Sequence, residues 1–194
     1  LISDLLDLSR ITREELKLRQ VYLSVLASEI ATEMKTLEPQ RQVKFTIAEP
    51  IIVQGDARLL RIVLQNLLSN AWKFTGPRES TIIEVGEMTV ADYLVKHDGQ
   101  EAFSPEGSAH FLKLNVSNPQ LKIYYVSDNG VGFNMAFSGK LFSPFQRLHA
   151  MHEFPGTGIG LAISQRVISR HGGFLWPEAQ EGKGATFYFT LGGT

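Results

Sequence analysis

Asn66, Asn70 and Lys73, within Asn66-Leu-Leu-Ser-Asn70-Ala-Trp-Lys73, fall at i, i+4 and i+7 of a helical pattern. That spacing places two carboxamides and an ammonium on one helix face. Asn70 can offer a neutral oxygen to Mg²⁺, and Lys73 can meet a phosphate as a point charge. Asp128-Asn-Gly130-Val-Gly132 follows a β-type run ending at Val126. An aspartate there can accept from the exocyclic amine of adenine, with glycines that let backbone approach a planar ligand, although the same residues also read as a simple turn. Gly156-Thr-Gly158-Ile-Gly160-Leu161 runs into a helix, aiming backbone N–H groups and the positive dipole end at a phosphate chain. It lacks the Lys-Ser/Thr ending of a Walker loop and the last spacing of a dinucleotide fingerprint. Taken together, the groups are those that magnesium-bound ATP requires.

Several elements must hold these residues. Asp56 is a plausible N-cap for a helix through Phe74, whose core stripe is Leu60, Val63, Leu64, Leu67, Leu68 and Ala71. Leu59 and Ile62 make that helix apolar nearly all round, which leaves its three polar groups in want of partners. A second helix spans 23–37 and stops before Pro39, and a third spans 161–171 before Gly172-Gly173. Strands are expected at Lys17 to Tyr22, 43–47 and 51–53 (the last two as a hairpin), 81–90, 111–116, 121–126, 174–176 and 185–191. Gly182-Lys-Gly184-Ala-Thr186 precedes the last of them. The polar run from Tyr93 to His110 reads as an exposed loop, and 132–160 has little periodicity. The expected product is an α+β, two-layer α/β sandwich with a mainly antiparallel sheet on three helices, preceded by a helix at 1–16.

Composition narrows the ligand. A chain of 194 residues with 43% hydrophobic content can build a full core. A net charge of −1 argues against nucleic acid, which calls for a basic surface. Zero cysteines exclude disulfides and thiolate metal sites. No apolar run is long enough to span a bilayer, so no membrane contact and a cytoplasmic location are expected. None of the five histidines has metal-ligand spacing; His171 ends a helix, where a cation is favourable. The start at Leu1, in mid-helix pattern, suggests a piece of a longer chain.

In this order, the three motifs and Phe142-Ser-Pro-Phe145 resemble the N, G1, F and G2 boxes of the sensor histidine kinase catalytic domain, which has the Bergerat ATP-binding fold. The resemblance covers roughly 17–194, with phytochrome-like wording in Phe145-Gln-Arg-Leu-His149 and Gly182 to Phe189. Residues 1–16 resemble the second helix of the family's dimerisation and phosphotransfer hairpin. The resemblance implies that Asp128 binds adenine, that Asn66, Asn70 and Lys73 reach the phosphates, and that Asn70 holds Mg²⁺. Gly130 and Gly132 would support the base, and Thr186 would join the site from the last strand. An ATP lid would run over about 133–160, anchored by Phe142 and Phe145, with Lys140 among the ATP-binding residues and Arg147 a candidate for the γ-phosphate. Gly156, Thr157, Gly158, Ile159, Gly160 and Leu161 would close it.

Implied partners are a phosphoacceptor helix of the same or a partner subunit, a response regulator receiver domain and a second copy in a homodimer. The stretch between the N and G1 boxes is longer than the family's, and the phosphoacceptor histidine belongs to a preceding helix that this sequence does not include. Gyrase-like ATPases of the same fold carry a glutamate where this chain has Asn66; a carboxamide cannot act as general base, which favours phosphoryl transfer over hydrolysis. An inert nucleotide-binding module is the third reading.

Overall fold

Asp56 Oδ1 accepts from the backbone N–H groups of Arg58 at 3.1 Å and Leu59 at 3.2 Å, capping the longest helix. In the computed structural model, which describes residues 15–97, 118–146, 154 and 156–192, that helix organises the fold. The elements are β1 (Arg19–Tyr22), α1 (Leu23–Leu37), β2 (Val43–Ile47), β3 (Ile52–Gly55), α2 (Ala57–Phe74), β4 (Thr81–Thr89) and α3 (Val90–Lys96). They continue with β5 (Lys122–Asp128), a 3₁₀ helix (Met135–Lys140), α4 (Gly160–Arg170), β6 (Leu175–Gln180) and β7 (Gly184–Phe189).

The expected stripe of α2 is buried from Leu60 to Ala71, with Leu59 added. It packs on a five-stranded sheet of order β2-β4-β5-β7-β6, antiparallel except for the parallel β2–β4 pair. Strand alternation sends Val126, Phe187 and Phe189 toward the helices. The opposite face carries Ile123, Trp176 and Tyr188. Those three are also buried, because α3 lies over them with Val90 and Tyr93 fully inside.

Two expectations change. The proposed hairpin of 43–47 and 51–53 does not form, since β2 joins the large sheet and β3 pairs with β1 in a separate two-stranded sheet. Val21 and Val53 explain the choice: they face each other in that register and are both buried. The start of the supposed loop at Tyr93 is helical, nucleated by a capping box in which Thr89 and Asp92 exchange side chain and backbone bonds. His171 proves structural, buried at the end of α4. Its Nε2 accepts from the Asp56 N–H at 3.0 Å, so the ring is the tautomer with a proton on Nδ1, which bonds the Val167 carbonyl at 2.8 Å. The expected helix over 1–16, the strand at 111–116 and the rest of the run to His110 lie outside the described residues, apart from Glu15 and Leu16.

Burial pushes the Asp56 carboxyl up, but the N–H groups of Lys17, Leu59 and Arg58 outweigh it and hold the carboxyl below its ordinary range. The chain entering β1 is thereby fastened to the head of α2, through Lys17 N–H at 3.1 Å from Asp56 Oδ2.

Candidate functional site

Between α2, the end of β5, β7 and the start of α4 lies a cavity of about 290 Å³. The i, i+4, i+7 face of α2 forms one wall, with Asn66, Asn70 and Lys73 all lining it. Asp128 ends β5, Gly132 lies in the turn after it, and Gly156, Thr157, Gly158, Gly160 and Leu161 come from the glycine-rich loop and the start of α4. Residues far apart in sequence therefore meet in one place.

The polar groups have partners, Asn66 on α4 and Asn70 and Lys73 in each other. Asn66 Nδ2 donates to the Gly160 carbonyl at 2.9 Å and to Ser164 Oγ at 3.2 Å, which occupies both amide protons. Its oxygen is what it keeps for another group, an acceptor suited to a cation or a metal-bound water rather than to a phosphate oxygen. Lys73 Nζ donates to Asn70 Oδ1 at 3.4 Å and sits 4.2 Å from the Phe74 ring centroid. The N-cap of α4, Ile159, makes no side-chain capping bond, and Gly158, Gly160 and Leu161 at this helix start line the cavity.

Asp128 holds its carboxylate by Oδ1 accepting from the Gly130 N–H at 2.8 Å. Burial pushes its pKa up to about 6, against N–H bonds from Gly130 and Ala185 that pull it down. Gly130 does not line the cavity; a Cβ there would meet the Phe74 carbonyl at 2.6 Å, so its part is to let the turn press on the end of α2.

Other expected residues stand elsewhere. Thr186 is across the sheet: its neighbours Ala185 and Phe187 enter the cavity, and alternation turns Thr186 to the far face, where it bonds Ser127 Oγ at 2.7 Å. Ile159 is fully buried in the core, and Lys140 is exposed at the end of the 3₁₀ helix. Phe142 packs against the core as an anchor should, but the Phe145 ring is 54% exposed. Phe145 holds the loop by its backbone instead, its N–H donating to the Gly158 carbonyl at 3.1 Å with φ at 66°. Arg147 lies outside the described residues.

The motifs did not reveal Ser69, Phe74, Phe133, Leu141, Gln146, Ala185 and Phe187, which also line the cavity. Five of them, Phe74, Phe133, Leu141, Ala185 and Phe187, are apolar, and a planar base needs such walls. Period-2 counting along β7 would have found Phe187, and Phe133 directly follows the Asp128–Gly132 motif. Among the described residues, no group of three or more His, Cys, Asp or Glu side chains could hold a metal ion. No helix among them is long and apolar enough to cross a membrane.

Fold and site define a nucleotide-binding domain in which helices and a glycine-rich loop enclose a pocket on one side of a mainly antiparallel sheet. The chain belongs to the family of histidine kinase-, DNA gyrase B-, and HSP90-like ATPases, whose model matches residues 55–193. Membership carries ATP binding with it. It is 35% identical over 142 residues to cyanobacterial phytochrome A of Nostoc sp., covering 73% of this chain and 15% of that protein. The adaptive-response sensory kinase SasA of Thermosynechococcus vestitus is 31% identical over 196 residues, 98% of this chain and 44% of that protein. The chain thus spans less than half of these relatives. The fold also matches full-length ShkA, solved in complex with AMPPNP, with a TM-score of 0.67 at 21% identity over 100% of this chain and 36% of that one.

Proposed function

We propose that this domain is the catalytic, ATP-binding part of a sensor histidine kinase, holding Mg-ATP so that its γ-phosphoryl passes to a histidine on a separate phosphoacceptor helix and then to a response regulator aspartate. The observation that carries this is the convergence of Asp128, the Asn66-Asn70-Lys73 face and the uncapped start of α4 on one cavity. Resemblance to sensor kinases of cyanobacteria supports the same reading.

In it, the Asp128 carboxylate accepts from the adenine amine while Phe133 and Phe187 wall the base. Asn70 offers its oxygen to Mg²⁺, and the free oxygen of Asn66 suits the ion's water shell. When bound, Mg²⁺ neutralises charge on the phosphate oxygens. Lys73 and the first-turn N–H groups of α4 hold the phosphate chain, and Leu141, Gln146 and Gly156 to Gly158 close over it. The domain's contribution is positioning and charge stabilisation, as phosphoryl transfer demands.

Hydrolysis is the rival reading, and Asn66 weighs against it. A carboxamide whose two protons are given to Gly160 and Ser164 has no means of taking one from water. We further propose a domain boundary near residue 17, dimerisation through the parent's helical hairpin and a cytoplasmic setting. The test is a titration with a fluorescent ATP analogue with and without Mg²⁺, followed by a phosphate-release assay and transfer to a separately supplied phosphoacceptor helix. Saturable Mg²⁺-dependent binding, negligible release and labelling of the helix's histidine are expected; sustained release without labelling would replace the kinase reading with an ATPase.

A further inference from the structure

Arg78 lies outside the cavity, in the turn after α2, where its N–H bonds the Thr75 carbonyl at 2.9 Å. Its guanidinium makes three bonds to backbone carbonyls. Nε donates to Asn129 at 2.9 Å, and Nη2 donates to Gly130 at 2.9 Å and to Gly182. The first two belong to the turn that begins with Asp128; Gly182 is at the tip of the β6–β7 hairpin. Those two loops also meet directly, through Gly182 N–H to the Val131 carbonyl at 2.7 Å.

The Asn129 carbonyl is one side of a planar peptide whose other side is the Gly130 N–H. That N–H is the donor that holds Asp128 Oδ1 at 2.8 Å. So a fixed unit runs from Arg78 Nε through one rigid peptide to the Asp128 carboxylate, and a cationic donor on the carbonyl strengthens the N–H bond beyond. Around it, Asn129 is pinned by its side chain, which accepts from Ile82 N–H at 2.9 Å and donates to the Ser80 carbonyl at 2.8 Å. With the side chain of Asn129 fixed to β4, the peptide that follows is set by the guanidinium.

We propose that Arg78 is a positioning residue that aims the Asp128 carboxylate at the purine amine and thereby sets the preference for adenine over guanine. The inference rests on the ATP reading above. Adenine presents an amine at its C6 position and guanine a carbonyl, so a well-aimed carboxylate attracts one and repels the other. A carboxylate that swings loses both effects together. Lysine cannot replace the arginine here, because an ammonium lacks the planar fork that serves Asn129 and Gly130 at once.

The test is calorimetric titration of Mg-ATP and Mg-GTP into the 194-residue chain and its Arg78→Ala and Arg78→Lys variants, with thermal melts of each. Arg78→Ala should weaken ATP about tenfold while GTP changes by less than about twofold, narrowing discrimination, and Arg78→Lys should fail to restore it. An unchanged ATP-to-GTP ratio, whether both affinities hold or fall together, overturns the proposal and leaves Arg78 a structural residue. If Arg78→Ala melts below the assay temperature, the Arg78→Lys ratio decides by the same criterion. Failure of the unaltered chain to bind either nucleotide would instead overturn the ATP reading, and this proposal with it.

Discussion

Asn66 Nδ2 donates to the Gly160 carbonyl at 2.9 Å, tying the middle of α2 to the first residue of α4 across the cavity wall. Replacing Asn66 by Ala removes this bond and the one to Ser164, which costs about 1–2 kcal/mol. Asn66→Asp costs more, because a carboxylate oxygen then faces the carbonyl that the amide had served. Urea denaturation of both variants at neutral pH checks the order, and an aspartate variant as stable as the alanine one contradicts it.

On the proposed reading, ATP binding should depend on pH through Asp128, whose pKa is pushed up to about 6 by burial. Because the folded chain holds that proton more tightly than the unfolded chain, the ionised carboxylate costs stability above about pH 6, and the cost is relieved as pH falls toward the ordinary carboxylate range. Binding runs the other way, since only the carboxylate accepts from the amine: affinity should drop as pH falls through about 6, by up to about tenfold per unit. Asp128→Asn should bind ATP weakly with a flat pH profile and be more stable near pH 8 by on the order of 1–3 kcal/mol. Titrations and melts across this range test both signs.

Three glycines give a graded series. Gly132 has φ of 63°, and a Cβ on it would lie 2.0 Å from the Gln180 carbonyl, so Gly132→Ala should disrupt folding. Gly182 has φ of 76° but open space around it, so alanine there costs about 1 kcal/mol. Gly139 has neither constraint, and alanine should be neutral or stabilise by less than about 1 kcal/mol. Calorimetric melting should rank the three in that order.

Tyr93 anchors α3 on the sheet face opposite the cavity. Its ring meets Trp176 and Tyr188 edge-on at 5.8 and 5.2 Å, its hydroxyl donates to Glu178, and Trp176 Nε1 donates to that hydroxyl at 3.2 Å. Tyr93→Ala should cost about 3–5 kcal/mol while the folded variant binds ATP as before. A large loss of affinity at temperatures where the variant is folded would show that the two sheet faces are coupled.

Much of the fold could be read from local pattern. The Asp56 cap, the α2 stripe and the β6–β7 turn are decided by residues a few positions apart, and such signals survive in one dimension. The partner of β2 was not of this kind, because the short connection to β3 suggested a hairpin while the deciding contact, Val21 against Val53, spans distant parts of the chain. The capping box of α3 was present as Thr89 to Asp92, yet the polar run beyond it drowned a helix of 7 residues. At the site, charged and glycine motifs stood out, whereas Phe74 and Leu141 became visible only where the fold brought them to one cavity with Asp128. Arg78 left no sequence signal, since its acceptors are backbone carbonyls that every residue owns.

Val90 N–H donates to the Leu121 carbonyl at 2.9 Å and Ala91 N–H to that of Pro119 at 3.1 Å, so the head of α3 is stitched to the chain entering β5. The β4–β5 ladder ends at the same place, where Thr89 faces Lys122. The strand that delivers Asp128 therefore starts from a point clamped on two sides, by β4 within the sheet and by the head of α3 beyond it.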